Sequence, residues 1–284
     1  MKSNPIRPHI NADIIKDSVS PAGKRLTTFV LEYPRWVHSE LMTHRMLSRN
    51  GSSSRAIPVN KIIQQVIDAP AVPIKWVKNQ AGMQGYEEVD AYFCEIANGV
   101  WLEARDAAVK SAKKLVAIGI HKQLANRLLE PFHHIKVVVT ATELQNLFAL
   151  RLHHMAEDNF QALMEVMKEE FLLSAPQELN AGQWHLPFVS DEQLQAYGIT
   201  TALKCSTARC ARVSYMNHDG TIPDPDKDIK LHDDLVVQKP LHASPAEHQG
   251  QALADGNYHS GNFVGFIQYR KMLAGECATK FPWE

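Results

Sequence analysis

Three features of this 284-residue sequence predict an α+β fold, a mixed or antiparallel sheet packed with long helices. Short runs rich in β-branched and aromatic residues, at 26–33 and 135–139, read as strands. Residues 86–117 repeat apolar side chains every three to four positions over many turns, the mark of a long helix. Helix-like and strand-like segments then follow one another without a regular βαβ alternation, which argues against a doubly wound parallel sheet.

Taken in order, residues 26–38, LTTFVLEYPRWVH, predict a strand that meets Pro34 and leads into a helix. From Ser39 to Met46 the apolar spacing suits a short helix, ending where Arg49, Asn50, Gly51 and several serines crowd together. In 86–117 the stripe runs through Val89, Phe93, Ile96, Val100, Ala104 and Ala108, with Gly119 as the stop. The IKVVV strand is followed by Thr140, Ala141, Thr142 and Glu143, which fit a capping box opening a helix toward His154. On that helix Leu144, Leu147, Phe148 and Leu152 share a stripe, so Asn146 and Arg151 lie off it and are able to face a ligand. Residues 156–173 read as a further helix, 174–200 as connections, the acidic stretch TIPDPDKDIKLHDDL as loop-rich, and NFVGFIQYRKML near the end as a helix.

Lys plus Arg number 30 against 31 acids, so a net charge of −1 supplies no global attraction for a nucleic-acid polymer or an anionic membrane. No apolar run approaches the roughly 20 residues that span a bilayer, and the N-terminus MKSNPIRPHI lacks the core of a signal peptide, so a cytoplasmic location is the expectation. Four cysteines in so long a chain do not make a disulfide framework, and Cys205 and Cys210 lack the C-x2-C spacing of common zinc sites, so no metal is expected. Cys210 is weighed as a base-attacking thiolate, though its neighbours do not match the enzymes that use one. Among the histidines, His44 is the strongest functional candidate; His133, His134, His153 and His154 occur as pairs nearby.

Residues 44–55 gather Arg45, Arg49 and Arg55 with Ser48, Ser52, Ser53 and Ser54 around Gly51. Guanidinium forks and small hydroxyls donate to phosphate oxygens, and a glycine lets the backbone approach them. A solvated surface turn has the same composition, so composition leaves both readings open.

Spacing is more specific. His44 and Arg45 followed by Ser48, Asn50, Ser53 and Arg55 resemble the R-H-R-x-x-S-x-N-x-x-S-x-R signature of the flavin-dependent thymidylate synthases, with Thr43 where the family has its first arginine. Asn126 to Pro131, NRLLEP, is similar to the family segment whose arginine binds the nucleotide, and Asn146 to Arg151, NLFALR, resembles the later segment whose arginine activates the uracil. Residues 211–215, ARVSY, and 242–248, HASPAEH, are similar to two further blocks that in the family precede the arginine signature. The chain therefore resembles a circular permutation, a single catalytic domain over 1–284 with its displaced blocks within 205–273.

The resemblance implies a homotetramer with active sites between subunits, FAD as redox cofactor, NADPH as electron donor and methylenetetrahydrofolate as carbon donor. It implies a flavin site of His44, Arg45, Asn50, Asn146, Ser214, His242, Ser244 and Glu247. Glu40, Ser53, Ser54, Arg55, Arg127 and Arg151 would bind dUMP, with Arg151 the catalytic group. Glu40 stands where the family commonly has glutamine, and Gly51 where it has glutamate. Two rivals follow from those departures: the same chemistry delivering a hydroxymethyl group or acting on dCMP, and a non-catalytic nucleotide-binding relative.

Overall fold

The computed structural model describes residues 9–213, 224–239 and 241–277. Strand β1 (Asn11–Val19) turns back through Gly23 into β2 (Arg25–Pro34), and Pro34 ends the strand as expected. A single 3-10 turn leads to α1 (His38–Met42), shorter than the 39–46 read from spacing. The residues that follow do not stay a loop. Strand β3 (Ser48–Gly51) pairs with β4 (His134–Ala141), so the middle third of the Ser/Arg segment is a sheet edge.

After α2 (Val59–Asp68), helix α3 (Ala91–Ala117) begins later than residue 86, because Asp90 accepts the amide of Phe93 and caps it there. Its expected apolar stripe is not core: Tyr92, Phe93, Ile96 and Val100 are exposed, and only Val109 and Ala112 are buried. A short α4 (Lys122–Ala125) runs into the 3-10 segment Asn126–Phe132. The capping box at 140–143 is overturned. Thr140 and Ala141 finish β4, and α5 (Gln145–Arg151) starts after Leu144 and ends before His154. Thr140 spends its hydroxyl on Thr28 and His248 instead, a tertiary use that local spacing does not reveal. Helix α6 (Asp158–Leu173) follows nearly as read.

The last third departs most from expectation. Beyond β5 (Gln177–Glu178) and β6 (Trp184–His185), the presumed connection carries α7 (Asp191–Ala211), opened by a Ser190–Gln193 capping box. Gly198, with φ 72° and ψ 164°, breaks this helix and its periodicity. The acidic stretch holds α8 (Pro225–Val236), capped by Asp224 with Pro225 in the first turn. Residues 262–273, read as a helix, instead hold β9 (Phe263–Val264), β10 (Phe266–Gln268) and a 3-10 turn, after β7 (Gly250–Ala252) and β8 (His259–Ser260). Gly265 at φ 72° forbids a helix there.

The main sheet has the order β3-β4-β2-β1-β5, antiparallel except where β5 joins β1. Alternation sends Phe29, Leu31, Tyr33, Val137 and Val139 to one face, where Phe160, Leu163, Met164 and Met167 of α6 cover them. The opposite face is covered by the last third of the chain, with Val30 and Val138 against Phe188, Cys210 and Val213. At its centre runs a buried polar chain: Ser18 to His185 at 2.9 Å, His185 to Thr28 at 2.8 Å, Thr28 to Thr140 at 2.7 Å, and Thr140 to His248 at 2.8 Å. Among the described residues no helix is long and apolar enough to cross a membrane, and no group of side chains is arranged to hold a metal.

Candidate functional site

Strand β3 is the spine of the site, with one cluster at each end. At its N-terminal end the turn from α1 is locked by Arg49, which donates to the carbonyls of His44 at 2.7 Å and Leu47 at 3.0 Å. Arg49 thus clamps the turn through one terminal nitrogen. Above the turn stands Arg151, delivered by the last turn of α5. Its Nε donates to His44 Nε2 at 2.8 Å, one terminal nitrogen to Glu40 Oε2 at 3.4 Å and the other to Thr43 Oγ1 at 3.2 Å. The ring of the wholly buried Phe160 lies 5.3 Å below the guanidinium carbon, a cation–π contact.

Charge around this cluster is internally consistent. Burial, then the Arg151 and Arg49 cations, hold the His44 pKa below its ordinary value. A neutral imidazole accepting at Nε2 carries its proton on Nδ1, which is what the bond from Arg151 requires. Burial and the neighbouring Glu157 raise the Glu40 pKa, and Arg151 opposes them.

At the C-terminal end of β3, Ser52 prolongs the pairing: its amide donates to Lys136 O at 2.7 Å and its hydroxyl accepts from Lys136 N at 3.2 Å. Asn126, fully buried, donates to the carbonyls of Ser54 at 2.7 Å and Ile57 at 3.0 Å and so shapes the turn that carries Arg55. Glu130 collects the cations there. It lies 2.9 Å from Arg127 and 3.4 Å from Arg35, and it accepts the Ser54 hydroxyl at 2.6 Å. Ser54 is therefore buried and committed to Glu130, whereas Arg55 is exposed and Ser53 half-buried.

The remaining candidates are more scattered. Arg45, Asn146, His242 and Ser244 are exposed, Glu247 is half-buried and ion-paired with Arg270, and Ser214 lies outside the described residues. Asn50 Oδ1 is buried without a partner, an acceptor open to a ligand's N–H or O–H. His153 and His154 are exposed, their rings 4.2 Å apart and tilted by 35°, His133 is bonded to Gln65 at 3.1 Å, and none joins the Arg151 cluster. Cys210 is fully buried and burial pushes its thiol pKa up, which removes it as a nucleophile.

Two residues that sequence reasoning missed tie the C-terminal block to β3. Asn262 donates to Met46 O at 2.8 Å and accepts from Ser48 at 3.1 Å; Gln268 donates to Asn262 at 2.7 Å and to Glu247 O at 3.3 Å. Nothing local marks them, because their partners lie more than 200 positions away in the case of Ser48 and Met46. Glu130 was legible in principle, as a carboxylate three residues after Arg127.

Among curated proteins, none matches the sequence. A solved structure of a UMP/dUMP methylase PolB from Streptomyces cacaoi bound with 5-Br UMP is similar at a TM-score of 0.50 and 17% identity, covering 58% of this chain and 89% of that one. The same methylase bound with 5-Br dUMP gives a TM-score of 0.43 at 14% identity, over 58% and 90% of the two chains. The first of these bears on the fold. The family profile described as thymidylate synthase complementing protein matches residues 14–177, which include most of β1, all of β2 to β4, both clusters and Arg151. That span exceeds half of the 284 residues, and the chain belongs to the thymidylate synthase complementing protein family.

Proposed function

We propose that the chain is a flavin-dependent thymidylate synthase, which methylates C5 of dUMP to give dTMP using methylenetetrahydrofolate, NADPH and FAD. The observation that carries this reading is Arg151, a cation fixed from three sides beside β3 within the family-matched segment. Such a guanidinium stabilises negative charge at pyrimidine N3 and O4 without surrendering a proton, and C5 becomes nucleophilic as a result. No protein nucleophile is needed, in keeping with a sealed Cys210. Arg55, Arg127 and Ser53 would take the phosphate, with Ser54 and Glu130 bracing them.

When bound and reduced by NADPH, the flavin would supply the electron pair that converts the transferred methylene carbon to a methyl group. Asn50, His44, Arg45, Asn146, Ser214, His242, Ser244 and Glu247 would hold it, and the unpartnered Asn50 acceptor suits a ligand rich in N–H and O–H donors. The docking of Asn262 and Gln268 on Ser48 and Met46 supports a permuted single catalytic domain, in which the blocks within 205–273 complete the site from the C-terminal side. The uncovered apolar stripe of α3 supports a homotetramer. A cytoplasmic location is part of the same proposal.

A second reading rests on Glu40, a carboxylate beside the base-activating arginine. A carboxylate accepts from the amino group of cytosine, so dCMP as substrate, or a hydroxymethyl product, is the alternative. The test is to incubate the protein with FAD, NADPH, methylenetetrahydrofolate and either dUMP or dCMP, and to weigh the products. A dUMP product heavier by one methylene group supports the first reading. A hydroxymethyl product or dCMP turnover moves the assignment to the second, and no product with no bound flavin leaves only a nucleotide-binding relative.

A further inference from the structure

A guanidinium has five N–H donors, one on Nε and two on each terminal nitrogen. In Arg151 each of the three nitrogens spends one donor, on His44, Glu40 and Thr43 respectively. One N–H on each terminal nitrogen remains. We propose that Thr43 and Glu40 are positioning residues for Arg151, holding its plane so that these two remaining donors meet the acceptors of the pyrimidine base. The inference rests on the reading of Arg151 given above.

The chemistry of Thr43 fits this role closely. Its hydroxyl donates to Glu40 O at 2.7 Å, so its lone pairs are left to accept from Arg151. The residue that stands here in the resembling family, arginine, has no acceptor and would set a second cation against the first. Glu40 adds the charge-assisted anchor on the other terminal nitrogen, and the Thr43 bond to its backbone ties the two anchors to one turn of α1. With its side chain only 23% exposed and Phe160 beneath it, Arg151 has three fixed edges and a floor.

The test compares Thr43→Val, Thr43→Ser, Glu40→Gln, Glu40→Leu and Arg151→Ala with the unaltered flavin-loaded enzyme. For each, kcat and KM for dUMP are measured, with dUMP affinity by calorimetry and the thermal midpoint as controls. Thr43→Val should lower kcat about tenfold to a hundredfold, the scale of a misplaced catalytic group. Thr43→Ser should restore it to within about twofold, since the hydroxyl returns without the methyl. Glu40→Gln keeps an acceptor and should retain far more kcat than Glu40→Leu. An impaired Thr43→Ser beside a near-normal Thr43→Val would show that the methyl group and not the hydroxyl matters, and unchanged kcat in Thr43→Val beside an inactive Arg151→Ala would likewise overturn the positioning role alone. An active Arg151→Ala, or an unaltered enzyme that neither turns over nor binds dUMP, would overturn the underlying reading and this inference with it.

Discussion

Replacing Arg151 by alanine removes one preorganised charge from a partly buried site, a loss that typically costs about 2.7–4 kcal/mol of barrier, so kcat for dUMP should fall about 10²- to 10³-fold. Arg151→Lys should recover little of this, because a point-like ammonium cannot satisfy His44, Glu40 and Thr43 together. Single-turnover kinetics check both, and a lysine variant with near-normal turnover would argue against the fork. The residues of this cluster were legible individually: His44 and Arg151 both sit in quoted motifs, and Glu40 and Thr43 stood out as departures. Their partnership was not, because it joins a turn and a helix end 107 positions apart. The bond of Ser54 to Glu130 is hidden for a similar reason, since the hydroxyl looks available until Glu130 is folded against it.

Between elements, the firmest link among the described residues of the last third is ionic. Asp228 of α8 is fully buried and accepts from Arg209 Nε of α7 at 2.8 Å and from Arg212 at 2.5 Å. Arg209 continues to Phe188 O at 2.6 Å and Gln193 at 2.8 Å, so one guanidinium binds both helices and the loop before them. Asp228→Ala would strand two cations and should cost about 3–5 kcal/mol of stability, seen as a lower urea midpoint with the dUMP-site residues left intact. A change under 1 kcal/mol would mean that solvent already screens the pair. Neither helix was read from the sequence. The Gly198 break hid the period of α7, and the abundance of aspartate and proline in α8 resembled a loop, although Asp224 followed by Pro225 is a helix-start signal. Helix α6 and strands β2 and β4, by contrast, carry strong periods and turn residues, and they emerged close to their true bounds.

At the scale of the molecule, two buried histidines set a pH limit. Burial holds His248 down to about 3 and His185 well below its ordinary value, so both are neutral in the fold, whereas an unfolded chain protonates histidine near 6.5. Below that pH the unfolded state takes up protons that the native state refuses. Each histidine should therefore remove about 1.4 kcal/mol of stability per pH unit as pH falls from 6.5, with no dependence from this source above about 7.5. Urea midpoints at pH 7.5 and 5.0 measure this, and equal midpoints would contradict it. The uncovered stripe of α3 makes a second prediction at this scale: Phe93→Glu with Val100→Asp should lower the assembled mass in light scattering, while the stability of the monomer core changes little. The sequence pattern marks that stripe, but periodicity identifies an apolar face without saying what covers it.

The hydroxyl-bearing face of the sheet also bears on the order of synthesis. Strands β1 to β4 and their first cover, α6, have been synthesised by residue 173, whereas His248, the last member of the polar chain, is made some 75 residues later. At about 5–20 residues per second that interval is on the order of ten seconds. During it Ser18, Thr28 and Thr140 can bond to water, as an all-apolar face could not, and the nascent sheet waits hydrated rather than adhesive.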